Sequence, residues 1–141
     1  MFSERIATVM QQEKLLMAGP HCTVRDAAQR MADGNVDAVV VVEDDTVIGI
    51  FTERDAVFRV IAQDRDPHTT ALADVMTPQP LTVGPDNSFG YALQLMHQRG
   101  FRHIPVVESG RPVGIVSSRD ALDPEMEQFN SEVQRRQGIR S

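Results

Sequence analysis

The phrase Gly49-Ile50-Phe51-Thr52-Glu53-Arg54-Asp55-Ala56 is written a second time as Gly114-Ile115-Val116-Ser117-Ser118-Arg119-Asp120-Ala121, every equivalent pair lying 65 residues apart. The match runs without a gap over residues 16–57 and 81–122. Leu16-x-x-Gly19-Pro20 falls on Leu81-x-x-Gly84-Pro85, Ala27 and Met31 on Ala92 and Met96, and Val41-Val42-Glu43 on Val106-Val107-Glu108. Two copies are too few for an open solenoid, whose stacked units bury their faces only against several neighbours. The repeat instead predicts two like units packed face to face about a pseudo-twofold axis.

Each copy reads as β-α-β-β-α. A short extended piece (15–18; 81–83) enters a Gly-Pro turn. Apolar residues then recur at helical spacing: Val24, Ala27, Ala28 and Met31, and Phe89, Ala92, Leu93 and Met96. Gly34 and Gly100 stand where a left-handed cap ends such a helix. The β-branched runs 36–42 and 101–107 suit strands covered on both faces. Asp44-Asp45 and Ser109-Gly110 suit tight turns into second strands, 47–51 and 113–116. Pro105 interrupts the second copy's strand and predicts a local irregularity that opens the sheet beside a pocket. The fold class is α/β: two β-α-β-β-α repeats with pseudo-twofold symmetry, plus N- and C-terminal helical extensions. Residues 3–15 suit a helix with Ile6, Val9 and Met10 on one side. Residues 124–137 suit another, with Met126, Phe129 and Val133 in a stripe and Pro124 in its first turn. The expected domains are 1–65 (first repeat with the N-terminal helix), 66–73 (polar linker), 74–123 (second repeat) and 124–141 (C-terminal helix and tail).

Composition narrows the function. The formal net charge of -6 opposes sequence-independent binding to nucleic acid or to an anionic membrane surface, both of which require a basic face. Lys14 is the only lysine, so arginine carries nearly all the positive charge, which suits guanidinium contacts to phosphate or carboxylate. Cys22 stands alone, excluding an internal disulfide and a thiolate metal site. No run is long and apolar enough to cross a bilayer, and no signal peptide is visible, so the expected setting is cytoplasmic. The histidines, His21, His68, His97 and His103, have no metal-binding spacing, and no metal is expected. There is no P-loop and no nucleophile elbow, so an enzyme is not expected.

The twin phrases carry the chemistry. Thr52-x-x-Asp55 and Ser117-x-x-Asp120 have the spacing of capping boxes, in which the hydroxyl and the carboxylate satisfy each other's backbone N–H. Capping needs no ligand. It also leaves a helix start whose N–H groups and dipole favour an anion, so the two roles are compatible.

The ordered motifs together resemble a tandem cystathionine β-synthase (CBS) domain pair: the repeat, Val75-Met76-Thr77-Pro78, Gly100-Phe101-Arg102-His103-Ile104-Pro105-Val106-Val107, and the twin Gly-x-x-Thr/Ser-x-x-Asp phrases. The resemblance covers roughly residues 9–122. It implies a regulatory small-molecule sensor whose clefts bind an adenosine nucleotide (AMP, ADP or ATP, with NADH or S-adenosylmethionine as alternatives), commonly as a homodimer acting on a regulated protein partner. Carried over residue by residue, it assigns Asp55 and Asp120 to ribose hydroxyls, and Thr52 and Ser117 to ribose or phosphate. Arg54 and Arg119 are assigned to phosphate or to a carboxylate neighbour, Arg102 and His103 to phosphates, and Thr77 begins the segment lining the adenine pocket. The first copy departs from this pattern. Asp37 and Ala38 replace Arg102 and His103, and a carboxylate there disfavours a polyphosphate. Its lead-in Met10-Gln11-Gln12-Glu13 lacks the Thr-Pro. The second copy's motif is the better anion site. The copies can interleave, so which arginine serves which cleft is open. The expectation is one good cleft and one weaker or differently selective. The alternative function is a structural dimerisation module with clefts that bind nothing.

Overall fold

The structure, a computed structural model, describes residues 2–138. In the first copy, strand β1 (Met17–Ala18) leads to helix α2 (Val24–Gly34), capped by the Thr23 side chain accepting from the Asp26 N–H at 3.1 Å. The hairpin β2 (Ala38–Glu43) and β3 (Thr46–Thr52) follows, then α3 (Glu53–Asp55), which continues as a π-helical stretch over Ala56–Ile61. The second copy has α5 (Phe89–Arg99), capped by Ser88 onto the Tyr91 N–H, then the hairpin β5 (His103–Glu108) and β6 (Arg111–Ser117), and α6 (Arg119–Arg136).

Both hairpins turn through two left-handed residues, Asp44-Asp45 and Ser109-Gly110. That backbone twist matches the twist of the flanking strands. Both bulge at the same place, between Val41 and Val42 and between Val106 and Val107. One helix cap differs from expectation by one residue. Asn35 (φ 52°), not Gly34, takes the left-handed position after α2, while Gly100 (φ 76°) takes it after α5. Asn tolerates that conformation through its short polar side chain.

The lead-in segments are exchanged. Helix α1 (Ile6–Val9) precedes the first copy, yet Ile6 lies in the second copy's core with Val83, Ala92, Met96, Ile104, Val106 and Val116. Helix α4 (Leu72–Val75) precedes the second copy, yet Leu72 and Val75 lie in the first copy's core with Val24, Ala27, Met31, Val39, Val41 and Phe51. The backbone agrees: Arg5 bridges Ser88, and Ala71 bridges Thr23. The expected N-terminal helix over 3–15 is therefore only four residues long. The Ile6 and Ala7 N–H groups donate instead to Asn87 and Pro85 carbonyls of the second copy, and Met10-Gln11 runs extended.

Between the copies, Ala38, Val40, Ile50 and Ile115 form a third apolar cluster, joining the sheet faces. The first sheet runs β1-β2-β3-β4, with β4 (Thr77–Pro78) from the exchanged lead-in antiparallel to β3. The second sheet is the same plan reduced to β5-β6, its flanking strands shrunk to single bridges, Val83 to Val106 and Gln11 to Ile115. Pro105 supplies a physical reason. In the first copy the Val40 N–H donates to the Leu16 carbonyl at 2.8 Å, and Pro105 stands at that position without an N–H to give.

The two C-terminal helices expected from sequence are one continuous helix, α6, which runs through Pro124. Of the stripe read there, the Met126 side chain lies outside the described residues, Val133 is half-buried and Phe129 is exposed.

The exchange sets a stability expectation. Leu72→Ala deletes a fully buried side chain and should cost about 2–5 kcal/mol. Hydrogen exchange should accelerate first in Val39–Val41 of the first copy, and later in Ile104–Val106. The opposite order would mean that α4 does not belong to the first copy's core.

Candidate functional site

Each twin phrase begins with a glycine because a methionine from the exchanged lead-in lies on it. A Cβ on Gly49 would collide with Met76 Sδ, and one on Gly114 would stand 2.8 Å from Met10 Sδ. Three residues beyond Gly49, Thr52 caps α3 as the spacing implied. The Asp55 carboxylate accepts from the Thr52 backbone N–H at 2.9 Å and from its hydroxyl at 3.3 Å, and Thr52 Oγ1 accepts from the Asp55 N–H at 3.4 Å. Asp55 is one of two buried polar residues among those described, and Arg59 Nε approaches its other oxygen at 3.5 Å. The buried carboxylate is thus held in one orientation by a neutral cap and a cation.

The second corner is capped differently. The Ser117 N–H donates to Asp120 Oδ2 at 2.8 Å, but the N-cap residue of α6 is Ser118, which makes no side-chain cap bond. Gln11 Nε2 donates to Asp120 Oδ1 at 3.3 Å.

A cleft of about 1050 Å³ opens between the copies. Eight of the residues singled out from sequence line it: Thr52, Arg54 and Asp55 from the first copy, Thr77 from the exchanged lead-in, and Arg102, His103, Ser117 and Arg119 from the second. Asp120 does not line it. That aspartate lies in a second cleft of about 110 Å³, with Gln11, Lys14, Ala38 and Ile115. The larger cleft is therefore composite, pairing the first copy's aspartate with the second copy's basic pair. The exchange of lead-ins is the reason, because it sets Thr77, Pro80 and Leu81 beside β3 and not beside β6.

Charge in the large cleft runs against the charge of the chain. Arg54, Arg59, Arg99, Arg102 and Arg119 line it, against Asp37, Glu53 and Asp55. Arg54 stacks on Phe58, its guanidinium carbon 4.8 Å from the ring centroid, which directs a cation into the cleft wall. Arg59 is spent on Asp55 and on the Val75 and Met76 carbonyls. Asp37 reaches across the copies to His103 Nε2 at 2.9 Å and lies 4.0 Å from Arg119. Asp37, His103 and Arg119 line both clefts and form the wall between them. Among the described residues no group of His, Cys, Asp and Glu has the makings of a metal site.

Three participants were not singled out from sequence. Arg59 had a legible signal, since it stands one helical turn after Asp55. Arg99, in the last turn of α5, and Phe58 had none, because only the packing of the copies brings them to the cleft.

The sequence matches the CBS domain family over residues 6–62 and 72–125, so the chain belongs to that family. It is similar to the uncharacterized protein YlbB of Bacillus subtilis, 41% identical over 106 residues covering 71% of each chain. It is also similar to the mitochondrial CBS domain-containing protein CBSX3 of Arabidopsis thaliana, 37% identical over 118 residues, 80% of this chain and 57% of that one. Another Arabidopsis relative, CBSCBSPB2, is matched over only 22% of its length, so the chain spans about a fifth to three fifths of several curated relatives. A crystal structure of an uncharacterized conserved protein from Pyrococcus horikoshii superposes with a TM-score of 0.81 at 28% identity, covering 89% of this chain and 94% of that one. The fold is shared more distantly by PAE2072 from Pyrobaculum aerophilum, complexed with AMP (TM-score 0.75, 24% identity, 83% and 89% covered). It is likewise shared by the CBS pair of MJ0100, complexed with 5′-methylthioadenosine and S-adenosyl-L-methionine (TM-score 0.79, 20% identity, 89% and 98% covered). No described helix is long and apolar enough to cross a membrane.

The unequal corners yield a paired measurement. Thr52→Ala removes a working cap and should cost about 0.5–2 kcal/mol in urea unfolding. Ser118→Ala removes no cap bond and should leave the midpoint close to wild type. Equal losses would contradict the asymmetry.

Proposed function

We propose that this CBS-domain chain is a ligand-sensing regulatory module that takes an adenosine nucleotide in the composite cleft. The observation that carries the reading is the convergence there of one oriented, buried carboxylate with arginines from both copies. Asp55 offers an acceptor to ribose hydroxyls beside the Thr52 cap. The buried Ile50 and the exposed Leu81 supply apolar surface on the sheet side for the base. Arg102, Arg54 and Arg99, all exposed, supply charge-assisted donors for phosphate. Solved proteins of this fold hold AMP in one case and adenosyl ligands in another, which supports an adenosine-based ligand.

Asp37 narrows the choice. Its carboxylate sits on the cleft wall and draws His103 and Arg119 towards itself. Each added phosphate charge brings more repulsion from Asp37, so AMP is favoured over ATP. A phosphate that takes His103 and Arg119 from Asp37 loosens a contact between the copies. That gives ligand binding a means to favour one packing of the copies over another, which is what a sensor requires. The exposed apolar row Val57, Phe58 and Ile61, on the π-helical stretch beside the cleft, is the surface through which two chains pair and a regulated protein reads the change.

Thermal-shift measurements against AMP, ADP, ATP, NADH and S-adenosylmethionine test the reading. A ligand at 100 times its Kd stabilises the fold by about 2.7 kcal/mol, a shift of several degrees. Failure of all five at millimolar concentration would leave the dimerisation reading in its place. Two variants locate the phosphate. Arg102→Ala should weaken AMP binding about tenfold or more while leaving adenosine unchanged. Asp37→Asn should tighten ATP more than AMP. Equal losses for AMP and adenosine in Arg102→Ala would remove Arg102 from the phosphate site.

A further inference from the structure

The two oxygens of the buried Asp55 are used unequally. Oδ2 accepts from the Thr52 N–H at 2.9 Å and from its hydroxyl at 3.3 Å. Among the described residues Oδ1 accepts no hydrogen bond; it faces Arg59 Nε at 3.5 Å. That separation lies beyond the roughly 2.7–3.2 Å of an N–H···O hydrogen bond. The guanidinium therefore balances the charge of Asp55 and leaves Oδ1 able to accept from a ligand hydroxyl.

Arg59 is itself held in place. Its Nη1 donates to the Val75 carbonyl at 3.3 Å and to the Met76 carbonyl at 3.1 Å, at the end of α4. Helix α4 belongs to the exchanged lead-in, and Met76 lies on Gly49, which opens the phrase that carries Asp55. Arg59 follows Asp55 at i+4, where the helix widens into the π form and the Ala62 N–H donates to the Val57 carbonyl at 2.9 Å. Such widened turns recur at functional sites. The residue 65 positions after Arg59 is Pro124, which has no side-chain donor, so this pairing is not repeated in the second phrase.

We propose that Arg59 is the positioning residue of the large cleft: anchored on the last carbonyls of α4, it turns Asp55 Oδ1 towards the hydroxyls of a ribose and makes ribose recognition depend on how the exchanged lead-in is seated. Its contacts are to protein groups, so it acts through Asp55. A neutral side chain at this position leaves a buried carboxylate with its charge unbalanced and one anchor fewer. Asp55 then reorganises, and the cleft loses its preference for a hydroxylated sugar while it still takes the base.

The inference rests on the nucleotide reading of the large cleft, in which Asp55 receives the ribose. The readout is the ratio of affinities for adenosine and 2′,3′-dideoxyadenosine, measured by titration calorimetry. The two ligands differ only in the sugar hydroxyls, so a general loosening of the cleft lowers both affinities and keeps the ratio. The proteins are the wild type, Arg59→Gln, Arg59→Met, Asp55→Asn, and Asp55→Asn combined with Arg59→Gln, each checked for folding by its thermal midpoint. Either neutral Arg59 variant suffices should the other not fold. The wild type should prefer adenosine about tenfold or more, as a charged hydrogen bond requires. Arg59→Gln and Arg59→Met should bring the ratio close to one, and adding Arg59→Gln to Asp55→Asn should not move it further. A wild-type ratio in the Arg59 variants, even with both affinities lowered, would overturn the role of Arg59 and leave the nucleotide reading standing. A further fall in the combined variant would make Arg59 a direct ligand contact and overturn its positioning role. A ratio near one in the wild type would overturn the assignment of ribose to Asp55, and no binding of either ligand would overturn the nucleotide reading; the role of Arg59 falls with each.

Discussion

The structure depends on an exchange. Each repeat completes its core with the segment that precedes the other repeat: Leu72 and Val75 fill the first copy, and Ile6 fills the second. A methionine from each exchanged segment lies on the glycine that opens the twin phrase, Met76 on Gly49 and Met10 on Gly114. Neither copy can bury its apolar face without the other's lead-in, so the two fold as one body although they read as two. Interiors pack at crystal-like density, and a glycine facing a methionine leaves no room for a side chain in between.

Three departures from an otherwise symmetric plan accompany the unequal clefts. Pro105 removes one N–H from the second sheet, and the strand that would pair there shrinks to a bridge at Val83. Gln11 bridges Ile115 where Thr77 bridges Ile50, and it bonds Asp120. Asp37 replaces the counterpart of Arg102 and turns to His103 across the copies. The first thins the second sheet, the second lies in the small cleft, and the third sets the charge of the wall between the clefts. The result is an anion-friendly cleft on an acidic chain.

Much of this was legible in the sequence, because the repeat fixes strand, turn and cap positions twice over. Thr52-x-x-Asp55 formed the capping box that its spacing implied, and the paired left-handed turns fell at Asp44-Asp45 and Ser109-Gly110. The errors share a cause in tertiary contacts. Residues 3–15 have the apolar spacing of a helix, but only Ile6–Val9 adopt it, since the rest of the segment gives its backbone to the second copy. The sequence ranks the second copy's motif as the better anion site and leaves the pairing of arginines and clefts open. The exchange brings Arg102 and His103 to the cleft that Asp55 lines, and nothing in local sequence records which lead-in packs on which sheet.

The composite nature of the large cleft is the central claim, and AMP titration of Asp55→Asn beside Asp120→Asn tests it most directly. The carboxylate is removed from one copy at a time with little change in shape, and thermal midpoints confirm that both proteins are folded. The account predicts that Asp55→Asn weakens AMP binding about tenfold or more, as loss of a charged hydrogen-bond acceptor does, and that Asp120→Asn binds as the wild type does. Loss of binding in Asp120→Asn, with Asp55→Asn unaffected, would contradict it.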